Sequence, residues 1–316
     1  MSGELTGYLL AVASMCIYGV YMSPKKLSGL EDSRFTFWMA CGIIISASAL
    51  FVLCPRGSVT PGMIGLSVAA GLVWATGNFA YTLSISRIEL TRSTPIKNLS
   101  ALLGLLFGMA FLSEGDGKSV FKICCICLSG ALIVAGAWLL SRVGAASGPG
   151  KLSLRNYVAG CVLALWSAVA FSIYTVPMKL AFRAGMSPSD YLFFMSAGIF
   201  CGMTLLALWA GWRPHIAVFT EHTFSAGGLK RGDGFFTGRL MAAASGLGLT
   251  LGQLMANYAV KLAGVAVVWP ITKNSVAAVM FSVFVLKDVD RTSSGGFLWW
   301  GMALCLAGII IMGMGV

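Results

Sequence analysis

The 316 residues are 58% hydrophobic and 10% charged, with a mean hydropathy of +0.86. Soluble domains carry about 25% charged residues, so this composition excludes a soluble enzyme or scaffold and indicates a polytopic membrane protein. The net charge of +11 does not mark a nucleic-acid binder, because the basic residues are scattered through short loops instead of gathered in a patch with interleaved aromatics.

Ten apolar segments follow one another at roughly 5–23, 35–53, 62–86, 93–112, 119–141, 157–180, 189–211, 237–262, 265–286 and 296–315. The first has no basic region ahead of it and no small-residue cleavage motif, so it reads as a retained helix, not a signal peptide. It ends in Tyr21-Met22-Ser23-Pro24-Lys25-Lys26-Leu27. Proline removes a backbone donor and disturbs the preceding turn. Pro24 is thus either a hinge beside a site, with Tyr21 one turn earlier pointing inward, or an ordinary helix end with interfacial anchors. The third segment carries Trp74 and Asn78, and the fourth opens on Thr94-Pro95-Ile96-Lys97-Asn98. In the fifth, Cys124-Cys125-x-Cys127 has no His or acidic residue nearby, so packing outweighs a metal site. The odd total of nine cysteines, mostly within apolar runs, speaks against a disulfide framework.

A Gly/Ser-rich linker from Ser141 to Asn156 leads to the sixth segment, where Tyr174, Pro177 and Lys179 repeat the pattern of Tyr21, Pro24 and Lys26. The long connection Gly211–Gly238 holds both histidines, His215 and His222. The eighth segment carries Gln253 and Asn257, and the ninth Trp269-Pro270-Ile271-Thr272-Lys273-Asn274. Lys273 lies eight residues into its segment, roughly 12 Å deep at 1.5 Å per residue. A lysine at that depth is costly unless it faces a partner or a watery cavity. No Asp or Glu lies deep in any segment, Glu114 and Asp288 being at helix ends. Lys97 and Lys273 therefore meet helix C-terminal carbonyls, lose their charge to desolvation, or wait for an anionic substrate. Lys97 has the further option of snorkelling to the surface. Asn78, Asn98, Gln253, Asn257 and Asn274 are carboxamides at membrane depth, either helix glue or ligand-binding groups. Trp74 and Trp269 either stack on a ring-shaped ligand or fill the wall.

The two halves repeat. Tyr21–Leu27 aligns with Tyr174–Leu180, Phe37–Ile43 with Phe193–Ile199, Gly77-Asn78 with Gly252-Gln253, Lys97-Asn98 with Lys273-Asn274, and Cys127–Gly130 with Cys305–Gly308, all in the same order. Five helices per unit, an odd number, bring the second unit into the membrane from the opposite side. The expected fold is all-α, with ten transmembrane helices as two inverted five-helix repeats, 1–141 and 157–316, joined by 142–156. Such repeats are common in secondary transporters, with the site at mid-membrane between them. Loops after helices 1, 3, 5, 7 and 9 hold 14 Lys and Arg against 6 on the other side, which places both termini outside. Small residues Gly130, Gly136, Gly308 and Gly313 permit close contact of helices 5 and 10, with a homodimer through these helices as an extension.

The chain resembles the drug/metabolite transporter superfamily over essentially its whole length, and within it the glucose/rhamnose porter-like branch. The resemblance rests on Tyr18-Gly19-x-Tyr21-x-x-Pro24-Lys25-Lys26, Trp74-Ala75-Thr76-Gly77-Asn78 and Thr94-Pro95-Ile96. It implies a central cavity lined by helices 1–4 and 6–9, helices 5 and 10 packed at one edge, and alternating access without ATP. Lys-Asn in both helices 4 and 9 departs from the sugar-porter pattern, whereas relatives that move nucleotide-sugars or phosphorylated metabolites use a basic residue in helix 9.

The expected function is secondary transport of a small polar metabolite, sugar-like or anionic, across the cell membrane. Candidate substrate contacts are Tyr21, Lys26, Trp74, Asn78, Lys97, Asn98, Tyr174, Lys179, Gln253, Asn257, Trp269, Lys273 and Asn274, with Pro24, Pro95, Pro177 and Pro270 as hinges. Neither cofactor, metal nor nucleic acid is expected, and lipid is the surrounding partner. No His-Glu-x-x-His, Ser-His pairing or phosphate-cradling Gly-Lys-Ser/Thr loop is present, and there is no repeated selectivity-filter segment. A non-transporting membrane sensor or scaffold is the alternative; an enzyme on lipid-linked substrates is the more distant one.

Overall fold

The computed structural model describes residues 3–114, 119–142, 153–211, 235–274, 276–285 and 291–314. Most of the Gly211–Gly238 connection, including both histidines, lies outside them. Among the described residues every regular element is helical. In chain order they are α1 (Gly3–Val20), α2 (Ser23–Ser28), α3 (Asp32–Leu53), α4 (Pro61–Lys97), α5 (Ser100–Phe111), α6 (Val120–Ser141), α7 (Leu154–Ile173), α8 (Thr175–Arg183), α9 (Pro188–Gly211), α10 (Phe235–Ala263), α11 (Val265–Thr272), α12 (Val276–Met280), a π-helical turn (Phe281–Val285) and α13 (Arg291–Met314). Among the described residues eight stretches are long and apolar enough to cross a membrane, and Gly296–Met312 is a shorter apolar helix. The chain is an integral membrane protein of all-α class.

Large apolar side chains such as Ile45, Val52, Leu128, Trp166, Leu205, Trp299 and Ile310 point outward, while serines, threonines, carboxamides and two lysines are buried. Such a surface suits lipid, where polar groups must find partners inside. The principal neighbours are α4 with α7 and α9, α1 and α3 with α10, α3 with α9, α5 with α11, and α6 with α13. Lipid gives no hydrophobic drive for helix association, so close backbone approach has to supply it. A Cβ on Gly71 or Gly198 would strike the facing backbone of α9 or α4, and one on Gly42 or Gly246 that of α10 or α3. Gly136 and Gly308 likewise seat α6 against α13.

Several long segments are interrupted. The first helix breaks at Tyr21-Met22, with Pro24 as the second residue of α2, and the equivalent break falls at Tyr174, three residues before Pro177. The sequence makes residues 93–112 and 265–286 continuous. Instead Asn98-Leu99 divides α4 from α5, and Lys273-Asn274 divides α11 from α12. Both breaks come three residues after an in-helix proline, Pro95 or Pro270, whose missing N–H weakens the turn around it. Upstream, α4 turns sharply at Glu89 (φ 70°, ψ 161°), and Gly264 (φ 86°, ψ 165°) does the same before α11.

Candidate functional site

The breaks bring aromatic rings, carboxamides and two cations together in the interior. Lys97 is the last residue of α4 and Lys273 caps the C-terminus of α11; the two residues are 5% and 6% exposed. The Lys273 ammonium lies 4.1 Å from the Tyr18 ring centre, 4.9 Å from Trp269 and 5.7 Å from Phe171. The Lys97 ammonium lies 4.7 Å from Tyr81 and 5.9 Å from the same Phe171 ring. Among the described residues neither ammonium has a hydrogen bond or an ion pair. A lysine at mid-membrane costs about 2.5–3.5 kcal/mol on insertion scales, and a desolvated cation–π contact returns about 2 kcal/mol. Two like charges near one ring also repel each other, which works against what the rings return.

The remaining polar groups divide into those already engaged and those still open. Gln253 Oε1 accepts from the hydroxyls of Tyr18 and Tyr174 (3.2 Å for the latter), and its Nε2 donates to Asn257 Oδ1 at 2.8 Å. Asn257 Nδ2 in turn donates to Pro188 O at 3.4 Å. These two carboxamides fix the tyrosines and tie α10 to α1, α7 and α9. Trp269 Nε1 donates to Phe171 O (3.2 Å), and its ring meets Tyr174 edge-on at 5.5 Å. Trp74 lies 5.3 Å from Phe171. Tyr21 meets Tyr18 edge-on at 6.0 Å. Asn78, one turn beyond Trp74, is fully buried; among the described residues its Nδ2 has only Met39 Sδ at 3.9 Å, and its Oδ1 has no hydrogen-bond partner. Asn274 faces elsewhere: its Oδ1 accepts from Val276 N (3.0 Å) and its Nδ2 donates to Cys305 O (3.3 Å), capping α12 and tethering α13. Asn98 is buried at the end of α4. The side chain of Lys26 lies outside the described residues.

Lys179 belongs to a different cluster. Its ammonium pairs with Glu114 Oε1 at 3.3 Å and donates to Val260 O at 3.0 Å. Glu114 also accepts from the N–H groups of Val265 (2.9 Å) and Ala266 (2.6 Å), capping α11, where a carboxylate complements the positive end of the helix. Elsewhere Lys25 pairs with Asp32 at 2.6 Å, and Ser86 donates to the same carboxylate. One carboxylate at a helix end is enclosed by a neighbouring loop, which hydropathy does not reveal. Asp190, the third residue of α9, is 1% exposed, because the loop carrying Gly57 folds over it; Oδ2 accepts from Gly57 N at 2.7 Å, and Oδ1 has no hydrogen-bond partner.

Sequence reasoning missed Phe171, Tyr18 and Tyr81 as lining rings. An apolar ring in an apolar helix gives no signal by itself. The alignment of Tyr21 with Tyr174 does pair Tyr18 with Phe171, three residues earlier, and would have picked out both.

Comparison with known proteins identifies the family of the chain. Residues 9–225 match the family described as "Sugar transport protein". Two "Probable glucose uptake protein GlcU" chains, from Priestia megaterium and Bacillus anthracis, are 26% and 24% identical over 173 residues, which is 54% of this chain and 59% of theirs. The match thus spans less than two thirds of the length of these relatives. A solved crystal structure superposes over 98% of both chains with a TM-score of 0.68 at 17% identity, a likeness of fold. The family match ends before Gln253, Trp269 and Lys273.

Proposed function

Because the chain belongs to the sugar transport protein family, we propose that it is a secondary transporter moving a small polar, sugar-like solute across the cell membrane by alternating access. The observation that carries this reading is the aromatic and polar centre where interrupted helices from both halves of the chain meet. Secondary transporters place their sites at such breaks. The relatives named above for glucose uptake make a hexose the first solute to try.

On this reading the chain holds ten spans as two inverted repeats, 1–141 and 157–316, joined by 142–156, with both termini outside. Equivalent contacts support it. Lys273 lies over Tyr18, and Lys97 approaches Phe171, its counterpart. The sharp turns at Glu89 and Gly264 correspond, as do the glycine contacts of α4 with α9 and of α3 with α10. Residues Trp74, Asn78, Tyr21, Tyr174 and the two lysines line the path, and the prolines mark where the helices give way.

Counterflow into proteoliposomes tests the proposal. Purified protein preloaded with unlabelled hexose should accumulate labelled hexose transiently, with no ATP present. Ligand-dependent stabilisation without any flux would replace the transporter by a membrane binding protein.

A further inference from the structure

We propose that the centre recognises an anion of sugar size, a hexose bearing a carboxylate or a phosphate, with the Lys97 and Lys273 ammonium groups on its oxyanion. The binding claim stands on the geometry; only the movement of that anion rests on the transport reading above.

Two cations are buried with no acidic partner among the described residues, and both approach the ring of Phe171 to within 6 Å. The buried or half-buried carboxylates with known contacts are committed elsewhere. Asp32 serves Lys25 and Ser86, Glu114 serves Lys179 and the start of α11, and Asp190 holds the Gly57 loop. These three carboxylates are therefore engaged away from Lys97 and Lys273. An ammonium offers three donors and no acceptor, so the complement to this pair is an acceptor-only group with negative charge. Its oxygens would relieve the repulsion between the lysines and form charge-assisted hydrogen bonds.

The surroundings call for more than a simple ion. Asn78 Oδ1 is a buried acceptor without a donor, one turn from both Trp74 and Tyr81, the rings that touch Phe171 and Lys97. It suits a hydroxyl on the same solute. Trp74, Phe171 and Tyr81, packed against one another or under the lysines, make these surroundings aromatic, the kind of lining that suits a ring-shaped solute. An oxyanion at one end and hydroxyls at the other describe a sugar acid or sugar phosphate.

The test uses the full-length purified protein with four probes: glucose, gluconate, glucuronate and glucose 6-phosphate. Binding is read as a ligand-dependent rise in unfolding temperature, and movement as counterflow in proteoliposomes. At least one anion should bind more tightly than glucose. Lys97→Gln and Lys273→Gln should each weaken it by about tenfold or more, the usual scale for removing one partner of a buried charge pair. Lys273→Arg, which keeps the charge, should retain part of the affinity. The unliganded Lys→Gln variants should unfold no earlier than wild type, whereas a purely structural lysine would lower that temperature. Comparing the carboxylates with the phosphate identifies the oxyanion.

Glucose binding and moving while all three anions do neither would overturn this inference and leave the transport reading intact. Anion affinity unchanged in both Gln variants would overturn the lysine assignment. An anion that binds without any solute moving would support the inference and remove the transport reading. If no probe binds or moves, both fall.

Discussion

Glu114 and Lys179 meet at 3.3 Å, and through them the end of α5, the start of α11 and the last turn of α10 are tied to α8. The carboxylate occupies the position of a helix cap, so its loss costs about 0.5–2 kcal/mol and also strands Lys179. Glu114→Ala should lower the unfolding temperature by several degrees. Glu114→Gln, which keeps an acceptor oxygen, should lower it less. The Glu114→Ala/Lys179→Met double variant should lose less than the two single losses added together, since both remove one interaction. Thermal unfolding monitored by tryptophan fluorescence reads these variants, the Lys179→Met single variant and wild type together.

Gln253 serves two hydroxyls at once. Gln253→Leu would leave Tyr18 and Tyr174 with unmet buried donors, each costing about 1–3 kcal/mol. We expect this variant to be among the least stable single substitutions in the interior. Gln253→Glu should be milder because both tyrosines keep their acceptor and only the bond to Asn257 is lost. Yield of monodisperse protein in detergent and its unfolding temperature would separate the two; equal behaviour would count against the positioning role.

The turns before α11 and within α4 give opposite expectations. Glu89 holds φ 70° and ψ 161°, a conformation that only glycine adopts readily and that costs other residues about 1–3 kcal/mol, so Glu89→Gly should raise stability. Gly264 holds φ 86°, and a Cβ there would also press on the Glu114 carboxylate at 3.0 Å. Gly264→Ala should lower stability and weaken the cap together.

Asp190 is held through one oxygen only. Asp190→Asn keeps an acceptor for Gly57 N while removing the charge, so unfolding temperature should hold or rise. Asp190→Ala removes the acceptor as well, leaving a peptide N–H unmet at a cost of about 1–3 kcal/mol. A fall of similar size in both variants would show that the charge itself is needed.

The sequence exposed the lysines and the carboxamides because polar groups stand out against apolar runs. Their environment was less legible. Hydropathy puts Asp190 and Glu114 at helix ends and says nothing of the loop and helix start that enclose them. Gln253, Asn257 and Asn274 carry the same signal as a ligand-binding amide, yet their hydrogen bonds go to Tyr18, Tyr174, Pro188, Val276 and Cys305. Pro95 and Pro270 announced distortion, but the chain breaks three residues later, where each lysine is delivered to the interior.

The glycine seams bear on how the chain assembles during synthesis. Gly42 needs the backbone of Ala243, and Gly71 needs Met195 and Ile199, so α4 finds this seat only after residue 199 has emerged and α3 only after residue 243. Until then those notches lack their partners, and before residue 171 is made Lys97 also lacks the Phe171 ring. The amino-terminal half made alone should therefore be a substrate for quality-control proteolysis. Two fragments divided between residues 142 and 153, produced in the same cell, should rescue each other.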